Sequence, residues 1–386
     1  MEDPRIAKIE WARLEGTRPR KAGSNARLGE HGVTVRPGMA RVTTEDGASG
    51  FGATSRTTPA SKEQAQAMLG TRLSGAFLPD RGASDAWIPF EYPLFDLAAK
   101  RAGRPVYAFA ASMVGRDEGE LAIPFKAPTY DTSLYFDDLH LESNEEAAAL
   151  IASEAMEGHA RGHRAFKIKV GRGGMHMDVE KGTQRDIAVI KAVREAVGPQ
   201  PPIMIDANNG YTLNLTKRVL RETAECRLFW IEEAFHEDAL LYRNLKEWME
   251  REGLSVLIAD GEGQASPTLM DWARDKVVDV VQYDYLSHGI TRWLATGKQL
   301  DEWGARSAPH HYGGWYGNYA AGHLAGPLRG FTFAEWDEAT VPGMDTSAYS
   351  VKDGWVTLPN TPGFGLNLDE DVYAKAVAND GFSVSV

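Results

Sequence analysis

Seven ionisable residues recur along the second half of the chain at intervals of 37, 26, 30, 22, 26 and 25 residues: Lys169, Asp206, Glu232, Glu262, Asp284, His310 and Glu335. Each closes a short apolar run, as in AFKIKV from 165, PIMIDAN from 202, LFWIEEA from 228 and SVLIADGE from 255. Asp206, Glu232 and Glu262 are three consecutive carboxylates. Brought together they repel, and one or two stay protonated unless a cation joins them. An oxygen-only ligand set suits a hard ion, Mg²⁺ most simply. The bland alternative is strand-end salt bridging to Lys or Arg. Lys167 and Lys169 lie two apart, hence on one side of a strand and roughly 6.6 Å apart along it. Two such ammonium groups disfavour each other's charge, which lowers the pKa of one and suits it to act as a general base. Asp284 beside His310 would fix the imidazole tautomer and make a second acid/base. Glu335, if protonated, could donate a hydrogen bond to a substrate oxygen. Cys226, the single cysteine, reads as inert core.

Positioning these residues together requires a particular scaffold. Further apolar runs, VVDVVQYD from 277, GARSAPH from 304 and FTFAEW from 331, continue the series, with amphipathic segments between them. The clearest places Ile187, Ile190, Val193 and Val197 on one stripe, stopped by Gly198 and Pro199. Buried strands alternating with helices predict βα units and a parallel sheet. At least seven such units predict a barrel, with a further strand near residues 132–136. In a parallel barrel the C-terminal strand ends share one mouth, where the seven residues would converge. An open doubly wound sheet is disfavoured because Gly171, Gly173 and Gly174 lack phosphate-loop spacing. The front reads as α+β. Residues 6–14 and 33–42 are predicted strands, the polar stretch 16–32 a loop, 45–47 a turn, and 61–104 helical. The expected organisation is 1–125 as an α+β capping domain, 126–354 as the barrel, and 355–386 as a returning segment.

Composition narrows the class. The 386 residues carry 42 Lys plus Arg against 54 Asp plus Glu, a net charge of −12. That balance is a poor match for phosphate backbones, so nucleic acid is not an expected partner. With one cysteine, a disulfide framework and a thiolate zinc site are excluded. No apolar run approaches the roughly 18–20 residues that span a bilayer. The start MEDPRIAKIE lacks signal-peptide character. A cytoplasmic protein with no membrane partner is the expectation.

KIKVG, DANNGY, WIEEAF, ADGEG, YDYLSHGIT and APH, followed by LPNTPGFGLNLDED, resemble the enolase superfamily and within it the mandelate racemase subgroup. FEYPLFDLAAKRAGRPVY is similar to the end of that family's capping domain. The resemblance covers nearly the whole chain. It implies an α/β fold, a (β/α)7β modified TIM barrel with an α+β N-terminal capping domain completed by the C-terminal segment. It also implies Asp206, Glu232 and Glu262 as Mg²⁺ ligands, Lys169 as one base with Lys167 its electrostatic partner, and His310 with Asp284 as the opposed acid/base. Glu335 matches the residue supporting the developing enolate oxygen. The choice of Glu232 over Glu233 rests on the family pattern, since strand alternation says only that the two face opposite ways. Two departures, Ala234 in place of a usual proline and Ser287-His288 where a glycine often stands, bear on loop shape.

The implied chemistry is abstraction of the proton α to a carboxylate, giving a metal-stabilised enediolate. Two fates follow: loss of a β-hydroxyl as water, giving a 2-keto-3-deoxy acid, or reprotonation from the opposite face, with Lys169 and His310 as racemase or epimerase bases. Stretch 16–32 is polar and cationic, so an aldonic or aldaric acid sugar is expected, with Arg27 and Asn208 as substrate-binding residues. A non-catalytic sugar-acid binding protein is the reading from a different class. Family members tend to associate, so a homo-oligomer is expected. Residues 312–319 (YGGWYGNY) could hold substrate or a neighbouring subunit.

Overall fold

The computed structural model describes residues 3–386 apart from Pro59, Gln264, Gly313 and Gly314. Among the described residues, the predicted βα rhythm forms parallel strands Lys126–Leu134, Phe166–Lys169, Ile203–Asp206, Trp230–Glu232, Leu257–Asp260, Val280–Val281, Arg306–Ser307 and Ala334–Trp336. From Lys126–Leu134 to Arg306–Ser307 each pairs with the next in chain order, and Ala334–Trp336 returns to pair with Lys126–Leu134. A parallel bridge between Ser307 and Phe331 brings the last strand's approach against Arg306–Ser307. This is the expected α/β barrel, with one boundary corrected. The strand expected at 132–136 starts at Lys126, because its first residues also pair antiparallel with Trp355–Thr357.

Alternation along each strand sorts the side chains. Ile168, Ile203, Ile205, Ile231, Ile258 and Val281 belong to the large apolar core shared with the helices. Met204, Trp230, Ala259, Val280 and Ala308 pack with Tyr130 in a second, separate cluster that plugs the barrel. Lys167 pairs in register with Met204, and Lys169 with Asp206. The lysines therefore share the plug's face of the strand and sit at and above its level. The predicted helix stripe is also found. Helix Val179–Val197 is capped by the Asp178 side chain, ends at Gly198 with φ 81°, and buries Ile187, Ile190, Val193 and Val197.

Strands Gly381–Ser385, Ile6–Arg13, Gly38–Thr44 and Ser49–Ala53 form an antiparallel sheet in that order, so the last strand joins the first. Helix Glu91–Arg101 lies on this sheet so closely that a Cβ at Gly50 would stand 2.0 Å from the Pro93 carbonyl oxygen. The stretch 16–32, expected to be loop, is partly strand. Gly16–Ala22 pairs with Gly32–Val35, and the predicted 33–42 strand is broken at Arg36-Pro37. No described helix is long and apolar enough to cross a membrane. Cys226 is buried and free, as expected.

Candidate active site

The barrel mouth gathers the predicted residues. Lys167 is 1% exposed, with its Nζ 2.9 Å from Glu232 Oε1, 2.9 Å from Glu335 Oε1 and 3.5 Å from Asp206 Oδ2. Lys169 at the strand end pairs with Asp206 Oδ2. Glu232 Oε2 accepts from Trp230 Nε1 (3.2 Å) and Gln282 Nε2 (2.9 Å), which fixes that carboxylate from the barrel side. Asp206, Glu232 and Glu262 each offer an oxygen within 4.8 Å of the others. Asn208 ties the rim together. Its backbone N donates to Asp206 Oδ1 and its Nδ2 to Glu233 Oε2 and Glu262 Oε1, while its Oδ1 is buried without a partner among the described residues.

Electrostatics favours a cation here. Burial, followed by repulsion from Asp206, lifts the Glu232 carboxyl to about 7. Burial, then Glu262 and Asp206, lift Glu233 to about 10. Among the described residues, the five carboxyl groups of Asp206, Glu232, Glu233, Glu262 and Glu335 face Lys167, Lys169 and His310, so full ionisation leaves an excess of negative charge that the raised Glu232 and Glu233 values record and that a divalent ion would relieve. The donors are all oxygen, which fits a hard ion. The Lys pair behaves differently from the sequence expectation. Burial and the Lys167 ammonium oppose charge on Lys169, yet Asp206, Glu262 and Glu232 together hold its pKa above the usual value. Lys167 is likewise raised, its burial outweighed by Glu232 and Glu335.

His310 and Asp284 form the expected pair. Nδ1 of His310 lies 2.9 Å from Asp284 Oδ2, and its Nε2 lies 2.8 Å from Glu262 Oε2. Both residues stand beyond their short strands, joined by a parallel bridge that extends the ladder. Lys169 and His310 thus flank the row of carboxylates, one beside Asp206 and the other beside Glu262.

Two sequence expectations are corrected. Glu335 is not a protonated donor. Its Oε1 takes Lys167 and the Thr132 hydroxyl (2.6 Å), and its Oε2 takes the His311 N–H (2.7 Å). Burial raises its pKa, but Lys167, His310 and these bonds hold it at about 2. Arg27 is exposed on a turn whose N–H groups bond Asn25 Oδ1, and its guanidinium makes no hydrogen bond or ion pair among the described residues. The cation at the mouth's far wall is Arg18 instead. It forms a two-pronged pair with Asp337 (2.8 and 2.9 Å) and lies 4.7 Å over the Tyr312 ring. Beside it, His31 packs edge-on against Tyr135 and Tyr312, and Tyr135 sits 5.6 Å from Lys169 Nζ. The His31 Nε2 is buried without a partner among the described residues, and burial lowers its pKa to about 4. Of residues 312–319, Gly313 and Gly314 lie outside the described residues. Trp315–Ala320 is a buried helix, so its aromatics are core.

Residues 150–372, more than half of the chain, match the family described as enolase C-terminal domain-like. The chain belongs to this family. The enolase-superfamily resemblance carried by KIKVG, DANNGY and WIEEAF therefore stands, with mandelate racemase-like proteins among the relatives. A galacturonate dehydratase from Geobacillus sp., solved with D-galacturonate and 5-keto-4-deoxy-D-galacturonate, is 46% identical. It superposes with a TM-score of 0.93 and covers 99% of both chains. A mandelate racemase/muconate lactonizing protein from Geobacillus sp. Y412MC10, solved with magnesium and tartrate, is 45% identical with a TM-score of 0.95, covering 100% of this chain and 98% of that one. Arabinonate dehydratase of Saccharolobus solfataricus is 25% identical over 73% of this chain and 69% of its own length.

Proposed function

We propose that the protein is an acid-sugar dehydratase that removes the proton α to a carboxylate and expels the β-hydroxyl as water, with a hexuronate as its substrate. The observation that carries this reading is the placement of Lys169 and His310 at the two ends of the Asp206–Glu232–Glu262 row. A carboxylate substrate drawn to that row has an acid/base group on each side of its α carbon. Asp206, Glu232 and Glu262 would hold Mg²⁺, which stabilises the second negative charge that develops on the substrate carboxylate. Lys167 contributes a fixed positive charge from below, held by Glu232 and Glu335. Proton abstraction by one of the flanking groups and protonation of the departing hydroxyl by an acid complete the elimination. The pairing of His310 with Asp284 supports giving it the second task.

The far wall disfavours the aldaric acids among the substrates expected from sequence, and similarity to a galacturonate dehydratase favours a hexuronate over an aldonic acid. An aldarate would place a second carboxylate there. Arg18 is already balanced by Asp337 and His31 is neutral, so that charge would be buried without a counter-ion. A uronate presents hydroxyl or ring oxygens, which a neutral imidazole can bond. The similar galacturonate dehydratase was solved with a 5-keto-4-deoxy product. Counted from the carboxylate end, that is the 2-keto-3-deoxy pattern of α-proton abstraction with β-elimination. A panel of hexuronates, aldonates and aldarates assayed for α-keto acid formation tests the choice. Hexuronates should give the highest kcat/KM, and a preference for aldarates would contradict the neutral wall.

A further inference from the structure

Arg56 belongs to the segment that leaves the antiparallel strand Ser49–Ala53, yet its contacts lie on the barrel mouth. Its backbone N donates to the Leu286 carbonyl at 3.1 Å, and the Thr57 hydroxyl donates to the Ser287 carbonyl at 3.2 Å. Its guanidinium spans two barrel loops. Nη1 lies 3.3 Å from Asp284 Oδ2, and Nη2 donates to the Tyr312 carbonyl. These are the loops that carry Asp284 and His310. Asp284 Oδ1 is fixed by the Ser287 N–H at 2.7 Å, and its Oδ2 is shared between His310 Nδ1 and Arg56. With only the Ser287 bond the carboxylate could pivot about it. The second donor, anchored from outside the barrel, sets the rotation and with it the position of the His310 ring.

We propose that Arg56 is a positioning residue that aligns the Asp284–His310 pair and makes that pair complete only when residues 54–58 are seated on the barrel mouth. The inference rests on the reading of His310 as an acid/base. Its logic is geometric: a small misplacement of an acid/base group is costly in rate, whereas an ion pair whose cation is 36% exposed adds little to folding stability. A positioning role and a structural role therefore separate in experiment. Lysine cannot replace Arg56 fully, because a single ammonium does not reach both Asp284 Oδ2 and the Tyr312 carbonyl with a fixed fork.

The test uses the full chain with Mg²⁺ and the preferred hexuronate. Arg56→Ala should lower kcat roughly 10- to 100-fold, with KM changing less than about three-fold and the unfolding midpoint nearly unmoved. Guanidinium ion at low millimolar concentration should restore part of the lost kcat in Arg56→Ala and none in the unaltered chain, and Arg56→Lys should fall between them. Unchanged kcat, a rise in KM alone, or a loss of kcat that does not respond to guanidinium would overturn the proposal. A second readout needs no substrate: the ring-nitrogen NMR signals of His310 in nitrogen-labelled chain should shift in Arg56→Ala. If the unaltered chain converts no acid sugar, the substrate reading fails, and the His310 signals still decide the role of Arg56. Signals that stay in place would overturn it.

Discussion

Lys167 and Lys169, two residues apart on one strand, do different work because their depths differ. Lys167 is sealed under the carboxylates and contacts Glu232, Glu335 and Asp206, whereas Lys169 stands at the strand end beside Asp206 and the Tyr135 ring. Replacing Lys167 leaves buried carboxylates without their counter-ion, which typically costs about 3–5 kcal/mol, so Lys167→Met should lose both stability and turnover. Lys169→Ala also removes a partner of buried Asp206, but Lys167 remains 3.5 Å from that carboxylate, so this variant should lose less stability than Lys167→Met and roughly 10²- to 10⁴-fold in kcat. Thermal unfolding and steady-state kinetics on both variants check the split, and equal stability losses would contradict it. The residues of this centre were legible in the sequence because each closes an apolar run at βα spacing. Arg56, Tyr135 and Asp337 were not, and Arg18 and His31 were legible only as members of the polar stretch 16–32. They reach the mouth through contacts made far along the chain, such as Arg18 with Asp337, and no local pattern distinguishes Arg18 from the exposed Arg27.

At the scale of elements, the strongest periodic signals were the most reliable. Helix Val179–Val197 and its Gly198 stop follow directly from the apolar stripe and a glycine free to take positive φ. The strand Gly16–Ala22 carries no apolar alternation, because Arg18, Arg20 and Lys21 read as loop, yet Arg18 is inward-facing and Arg20 is paired with Asp137 and Glu154. One helix junction carries a pH prediction. Helix Ile290–Trp303 has no side-chain cap of its own, and the Thr291 N–H is taken by Glu91 from the antiparallel layer at 2.9 Å. Burial raises the Glu91 carboxyl from 4.5 to about 7 despite that bond. The folded chain thus keeps a proton that the unfolded chain releases. This group's contribution is complete below about 4.5, falls as pH rises through the window, and is lost above about 7. Relative to Glu91→Gln, wild-type unfolding free energy should drop by about 3 kcal/mol between pH ~4 and pH ~8. Denaturant unfolding at the two pH values checks this, and a pH-independent difference would contradict the buried carboxyl.

The whole molecule joins two layers at one mouth. The barrel supplies the carboxylates, the lysines and His310, and the N-terminal part supplies Arg18 and His31 from the paired strands Gly16–Ala22 and Gly32–Val35 and their connection, and Arg56 from the segment after Ser49–Ala53. This division explains why reaction class was readable early and substrate was not. The residues proposed for the chemistry sit on strand ends with regular spacing, whereas the proposed selectivity turns on which N-terminal cations are already paired, as Arg18 is with Asp337. The decisive measurement is proton NMR of D-galacturonate incubated with the protein and Mg²⁺ in D₂O, beside a chelator control. Dehydration predicts loss of the C5 proton, a 5-keto-4-deoxy product with one deuterium entering at C4, and no reaction once the metal is chelated. Deuterium appearing at C5 with every hydroxyl retained, or turnover unaffected by the chelator, would contradict it.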